Sequence, residues 1–329
     1  MTRLKGMAGA AAAALLAAAV ATTPSPGHAG AKDKPLYIIG VFHADVSNSF
    51  SSVVKRGVEQ AGDDLNVKVE FVGPDKFDVV AQGELIKAAI AKKPDGLFVS
   101  LPDCDALKAP VQAAIKAGIP VMSFNSGAAC FRDVGSLVHV AEDGLQAGRG
   151  AGERLVKLGA KNVICLDHEV GNAILEDRCK GIEMALKAAG GKSTIVPTSL
   201  AAPAVTQGAI QAAFLKDKTI DGIGGEWGGG PSPPVIDQTL TKMGLQGKVI
   251  VSYFDPGLDT LPLIKEGKIA FMTSQVPFNQ GYLPVSFLAA YIRYGVLPGG
   301  PPGVVNNGGF FITKDNVDQI MALVKQGIY

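Results

Sequence analysis

One pattern occurs twice along this chain, and it limits the fold more than any other feature. A short apolar run, Leu36–Phe42 (LYIIGVF), precedes a stretch over Ser51–Leu65 in which Val53, Val54, Gly57, Val58 and Ala61 recur at helical spacing. Strand-like Val67–Val72, helix-like Val79–Ala91, strand-like Gly96–Ser100, helix-like Asp105–Ala117 and strand-like Pro120–Phe124 follow. The second half repeats the order. Strands are expected at Val163–Asp167, Ser193–Val196, Gly222–Gly225 and Lys248–Phe254, and helices at Asp177–Ala189, Thr206–Leu215 and Val235–Met243. The spacing repeats too: Ile38 to Gly96 is 58 residues and Val163 to Gly222 is 59. Both third strands open on Asp-Gly (Asp95-Gly96, Asp221-Gly222). Strands alternating with helices of this length need a parallel sheet covered on both faces. The expected fold is therefore α/β: two similar lobes, each a doubly wound parallel sheet.

Composition agrees and excludes several classes. The 329 residues suffice for two cores. A 47% hydrophobic share is too high for disorder, and 31 Lys+Arg against 30 Asp+Glu, with no basic stripe, argue against nucleic acid as a partner. Residues 1–29 read as an export signal. Arg3 and Lys5 form the n-region, Ala10–Ala21 is the apolar core, and Gly27-His28-Ala29 offers small residues for cleavage. Pro24 and Pro26 interrupt the run short of a membrane span, and no Cys follows the cleavage point to take a lipid. A soluble, secreted or periplasmic protein is expected.

In an oxidising compartment the four cysteines invite disulfides, and the division into lobes favours Cys104–Cys130 and Cys165–Cys179. No CxxC and no His at ligand spacing support a metal. The Gly-rich stretch 224–230 has neither GxGxxG nor Walker spacing, so no nucleotide cofactor is expected. No G-x-S-x-G elbow or HExxH motif indicates an enzyme. Glu169 and Glu226 alone keep a glycoside hydrolase in view, as a pair of carboxylates in an acidic cleft.

Open α/β sheets bind ligands beyond the carboxyl ends of their strands. Those segments read HADVSNSF (43–50), LPDCD (101–105), NSGA (125–128), HEVGN (168–172), EWGGG (226–230) and DPGL (255–258). Amides and carboxylates beside a few aromatic rings suit a polyhydroxylated ligand, whose hydroxyls take paired hydrogen bonds while a flat ring covers its apolar face.

The same segments, with AGIPVMSFNSG, HVAEDGLQAG, EDRCKGIEMAL, VSYFDPG and EGKIAFMTSQVPFNQGY, resemble the periplasmic sugar-binding proteins of ABC transporters, in particular the ribose-binding-protein-like type I group. The resemblance spans nearly all of the chain after the signal. It implies two lobes joined by three crossovers, 36–141 plus 276–305 and 142–275 plus 306–329, which close on one ligand. It further implies a monomeric periplasmic carrier that delivers a small sugar or polyol to an ABC permease in the inner membrane. Position by position, Asn48 and Phe50 match the polar and stacking residues of the first loop, and Arg178 an arginine that forks onto hydroxyls. Asp255 matches a hydroxyl-binding aspartate, and Gln275 a glutamine at a hinge crossover. Three positions depart. Asn125 and Ser126 stand where ribose binders have Asp and Arg, and Trp227 where Asn is common, so the charged clamp is gone and a stacking face is added. This points away from ribose. The C-terminal GGFFITKDNVDQIM and the cysteine spacing also resemble binders of autoinducer-2-like furanones, and a ligand-presenting partner of a chemoreceptor is compatible with the same design.

Plainer readings stand beside each role. Arg178 could pair with Glu176 or Asp177 at the surface, Asp255 could be a turn residue, and Trp227 and Phe50 could belong to the core. His43 and His168, at matching strand ends, read equally as ligand contacts or as satisfied polar groups. His139 and Asp143 mark the first crossover and read as hinge.

Overall fold

The computed structural model describes residues 35–298 and 303–329; the expected export signal lies outside them. In the first half β1 (Leu36–Val41), α1 (Ser49–Leu65), β2 (Val67–Val72), α2 (Val79–Ala91), β3 (Gly96–Ser100), α3 (Cys104–Lys116), β4 (Val121–Phe124), α4 (Phe131–Val134) and β5 (His139–Ala141) follow in order. The second half runs α5 (Gly144–Lys157), β6 (Asn162–Asp167), α6 (Ala173–Ala188), β7 (Lys192–Pro197), α7 (Pro203–Lys216), β8 (Gly222–Gly224), α8 (Ser232–Lys242), β9 (Ile250–Phe254), α9 (Leu261–Lys265) and β10 (Phe271–Ser274). Then come α10 (Pro277–Tyr294), β11 (Val304–Asn306), β12 (Phe310–Ile312) and α11 (Val317–Lys325).

Side chains set many of the helix starts. Asn48, Asp78, Asp103, Asp143 and Asn172 each accept a hydrogen bond from a backbone N–H in the first turn of the helix that follows. The cap at Asn172 starts α6 four residues before the expected Asp177, which sets Arg178 in its second turn. Residues 277–294 carried no expected helix; Pro277 at the first turn, where a missing N–H costs nothing, opens α10.

The strands form two six-stranded sheets, ordered β11-β5-β4-β3-β1-β2 and β12-β10-β9-β8-β6-β7. Every pairing is parallel except β10 with β12. The residues that defined the repeat are register partners: Ile38 pairs with Gly96 in one sheet and Val163 with Gly222 in the other. Helices cover both faces, so successive strand residues enter different cores. Ile38 packs with Val54, Val58, Val285 and Leu288 of α1 and α10, whereas Ile39 packs with Ile86, Leu107 and Val111 of α2 and α3. In the second sheet Val163 and Cys165 join Leu155 and Ile182, and Ile164 and Leu166 join Ile210, Phe214 and Ile236.

The chain passes between the sheets at 141–144, 274–277 and 306–310. Asn307 ties the passages together: its N–H donates to the Ala141 carbonyl, and its side-chain amide to the carbonyls of Gln275 and Val276. Cys104 is bonded to Cys130 and Cys165 to Cys179, one bridge within each lobe.

Candidate ligand-binding site

In both sheets the strand order reverses direction at the first strand, at β1/β3 and at β6/β8, and the crevice outside such a switch point is where open α/β sheets place ligands. A histidine stands just past each first strand. His43 Nδ1 meets the Ser100 hydroxyl at the end of β3, at 2.9 Å, and the Gln82 amide donates to the Ser100 carbonyl and hydroxyl. His168 Nδ1 instead lies 2.7 Å from Glu226 Oε1. Burial alone would lower the His168 imidazole, but the Glu226 carboxylate outweighs it and holds the imidazole above its ordinary value. Burial likewise opposes charge on Glu226, yet His168, the Trp227 N–H and the Thr198 hydroxyl keep it below the usual carboxylate range.

Contacts cross between the lobes around this point. Glu169 Oε2 lies 3.4 Å from His43 Nε2 and accepts from the Asn172 amide at 2.7 Å. Burial would raise the Glu169 carboxyl; His43 and Asn172 bring it down to about 2. The Ser126 hydroxyl donates to Asn172 Oδ1, the Ala173 N–H to the Pro102 carbonyl, and the Ser49 hydroxyl to the Gly229 carbonyl. The lobes therefore touch across the cleft.

Deeper in, an amide relay bridges them. The Asn125 amide donates to Gln275 Oε1 and Gln280 Oε1, and Gln275 donates from its backbone N–H and side chain to the two oxygens of Asp255, at 3.0 and 2.6 Å. Asn125 and Asp255 follow the corresponding strands β4 and β9, and both adopt positive φ (63° and 55°). Val276 does so as well (49°), a strained state for a β-branched residue, and such strain gathers at functional sites. Burial pushes the Asp255 carboxyl up, with Arg178 and Gln275 pulling the other way. Arg178 is buried, pairs with Glu142 rather than with Glu176 or Asp177, and lies 4.3 Å over the Phe254 ring.

A cavity of about 590 Å³ occupies the cleft. His43, Asn48, Phe50, Asn125, His168, Arg178, Trp227, Asp255 and Gln275 all line it, brought together from the segments that follow β1, β4, β6, β8, β9 and β10. Ser126 does not line it; its fully buried hydroxyl is spent on Asn125 and Asn172. Asn48 lines the wall while its amide caps α1 and donates to the Asp45 carbonyl, so much of its bonding capacity is already used. Phe50 joins a ring cluster with Phe42. Trp227 is pinned by its own loop: a Cβ on Gly230 would sit 2.6 Å from the indole, and one on Gly229 2.9 Å from Nε1. His139 stays in its sheet, buried and bonded to Ser123.

Sequence reasoning missed Phe77 and Ser199–Ala201, which line the cavity from the loops after β2 and β7. The strand-end rule would have reached them had it been applied to the sheet-edge strands. It also missed Glu142, for which no local signal exists. Among the described residues no cluster of three metal-ligating side chains occurs, and no helix is long and apolar enough to cross a membrane.

The chain is similar in sequence and fold to several known proteins. The xylose/arabinose-binding protein XylF of Sulfolobus acidocaldarius is 24% identical over 311 residues, covering 89% of this chain and 76% of that protein. A carbohydrate transporter from Acidothermus cellulolyticus, solved with myo-inositol, superposes with a TM-score of 0.82 at 28% identity, covering 90% of this chain and all of that one. A solute-binding protein from Burkholderia graminis, solved with D-arabinose, has the same fold at a TM-score of 0.75 and 23% identity over 86% of this chain and 96% of its own. The sequence profile of the periplasmic binding protein domain matches residues 39–295, and the chain belongs to the periplasmic binding protein family.

Proposed function

We propose that the protein is an exported, monomeric solute-binding component of an ABC importer, which captures a small neutral sugar or polyol between its lobes and delivers it to the membrane permease. One observation carries the reading: the buried charges of the cleft already have protein partners. Arg178 has Glu142, His168 has Glu226, Glu169 has His43, and Asp255 has the Gln275 amide. An ionic ligand would meet no buried charge that lacks a protein partner, and the other charged residues of the lining, Asp45, Asp75 and Lys76, are exposed or half-buried. A neutral polyhydroxylated ring can share these fixed donors and acceptors and lie against Trp227 and Phe50. Relatives whose names and bound molecules are xylose, arabinose and myo-inositol support the ligand class.

The proposed lobes are 36–141 plus 276–305 and 142–275 plus 306–329, turning about the three crossovers, with the ligand held by His43, Asn48, Phe50, Asn125, His168, Arg178, Trp227, Asp255 and Gln275. Binding occurs without turnover. Neither Glu169 nor Glu226 has the raised carboxyl that a general acid requires, because each is held low by its histidine. The test is a thermal-shift screen against neutral sugars, polyols, sugar acids and an autoinducer-2-like furanone. A ligand at 100 times its Kd adds about 2.7 kcal/mol to stability. A response only to charged ligands or to the furanone, or release of chromophore from aryl glycosides, would overturn the reading.

A further inference from the structure

Glu142 is a buried acid that the cavity wall does not include. It lies in the first crossover, between the end of β5 and the Asp143 cap of α5. Arg178 Nε donates to its Oε1 at 2.5 Å, and Arg178 Nη2 faces the same oxygen. Its other oxygen is buried without a hydrogen bond among the described residues. The Phe254 ring, at the end of β9 in the same lobe, backs the guanidinium, so the orientation of Arg178 is set by one acid and one ring. The third crossover closes on Glu142, and the second packs against the third. A Cβ on Gly308, in the third, would lie 2.5 Å from Glu142 Cβ and 2.8 Å from Gln275 Cα, in the second. Only glycine lets the three strands of the hinge pack this closely.

We propose that Glu142 is a positioning residue, which holds the Arg178 guanidinium toward the cavity from within the hinge and so makes ligand affinity depend on hinge geometry. The proposal rests on the reading of the cleft as a solute site. The acid sits in the first crossover against Gly308 of the third, which in turn lies against Gln275 of the second, so a turn about the crossovers moves the acceptor that aims Arg178. Three charged groups act on it: Arg178 from α6, Asp255 from the loop after β9, and Asp143 on its own crossover. Gln275 and Gly308, from the other two crossovers, carry no charge. Burial raises the Glu142 carboxyl to about 7 against the pull of Arg178, with Asp255 and Asp143 adding to the rise. The clamp is therefore charged above neutral pH and weakened below it.

Glu142→Gln keeps the shape and removes the charge, and Trp227, the single tryptophan, reports binding from the cavity wall. Wild type and variant are titrated with myo-inositol, D-xylose and L-arabinose at pH 8.5 and 5.5. Coupling within one network predicts that the variant binds about tenfold more weakly at the higher pH, with the gap falling below about twofold at the lower, where both chains are neutral at 142. A gap that is absent, or equal at both pH values, overturns the proposal. A ligand-free measurement stands beside it: the Arg178 Nε–H resonance, assigned by its loss in Arg178→Lys. It should be solvent-protected at pH 8.5 in wild type and broadened in Glu142→Gln; an unchanged resonance overturns the proposal. If none of the three probes binds while the resonance responds in this way, the ligand reading fails and the positioning role stands. If a probe binds with equal affinity to both chains, the reverse holds.

Discussion

The two switch points occupy the same place in the same fold and are built from different chemistry. In the first lobe the histidine beyond β1 meets a serine hydroxyl, itself held by the Gln82 amide. In the second, the histidine beyond β6 meets a carboxylate with no exposure to solvent. The difference begins in the neighbouring strand. β3 runs five residues and ends on Ser100, whereas β8 runs three and turns at Gly225, at φ 90°, delivering Glu226 beside His168. A Cβ at Gly225 would lie 2.5 Å from Cys165 Sγ, so the turn and the second-lobe disulfide are packed as one unit. The first lobe thus presents amides, hydroxyls and rings. The second holds the buried charges Arg178, Glu226 and Asp255, and sends Glu169 across the cleft to His43. Architecture repeats; electrostatics do not.

The sharpest way to break this comparison is to remove the second lobe's acid. Glu226→Ala leaves a buried imidazolium and the Trp227 N–H without their acceptor, and should lower stability by about 3–5 kcal/mol in urea denaturation. The pH dependence has a definite sign. His168 is held above 6.5, so its contribution is complete below that value and is lost as pH rises through its folded pKa. Glu226 is held below 4.5, so its contribution is complete above that value and is lost as pH falls through its own. The deficit of Glu226→Ala should be greatest between about pH 4.5 and 6.5. A deficit that grows toward pH 9 would contradict the ion-pair assignment.

Next in size are the disulfides, which close loops of 26 and 14 residues and should each contribute about 3 kcal/mol, read from Tm with each pair replaced by serine. The Cys165–Cys179 variant should also weaken sugar or polyol binding, since Cys179 adjoins Arg178. The Cys104–Cys130 variant should leave binding much closer to wild type, and equal losses would erase the asymmetry. Arg178→Ala and Asp255→Ala should each reduce affinity by about 1–3 kcal/mol in calorimetry, the cost of stranding a buried partner. If both bind as tightly as wild type, the site lies elsewhere. The smallest effect belongs to the first lobe. Ser100→Ala, which removes a neutral hydrogen bond, should cost about 1 kcal/mol of stability.

Much of the fold was legible because it rests on local periodicity. Strand runs such as Val67–Val72 and Gly96–Ser100 coincide with β2 and β3, and the register pairs Ile38–Gly96 and Val163–Gly222 are the positions whose spacing revealed the repeat. Strand-end reasoning also led to seven of the nine expected cavity residues, since parallel sheets put their carboxyl ends on one side, and the family resemblance added Arg178 and Gln275. It could not say which of those side chains are already engaged. Asn48 looks like a ligand amide and caps a helix; Ser126 looks like a wall residue and lies behind it. Arg178 looked able to pair with acidic neighbours in its own helix and instead meets Glu142, 36 residues away.

By itself, then, the amino-acid order determined the repeated βα units, the doubly wound sheets and the cleft side of each. Side-chain periods of two and 3.6 and the capping residues act over a few positions and need no tertiary context. Only the tertiary structure decided how the cleft's polar groups are paired, because His43 with Glu169, Asn125 with Gln275 and Arg178 with Glu142 meet across lobes and crossovers. Burial at those meeting points sets which groups carry charge, and burial is a property of the packed molecule rather than of any segment of the chain.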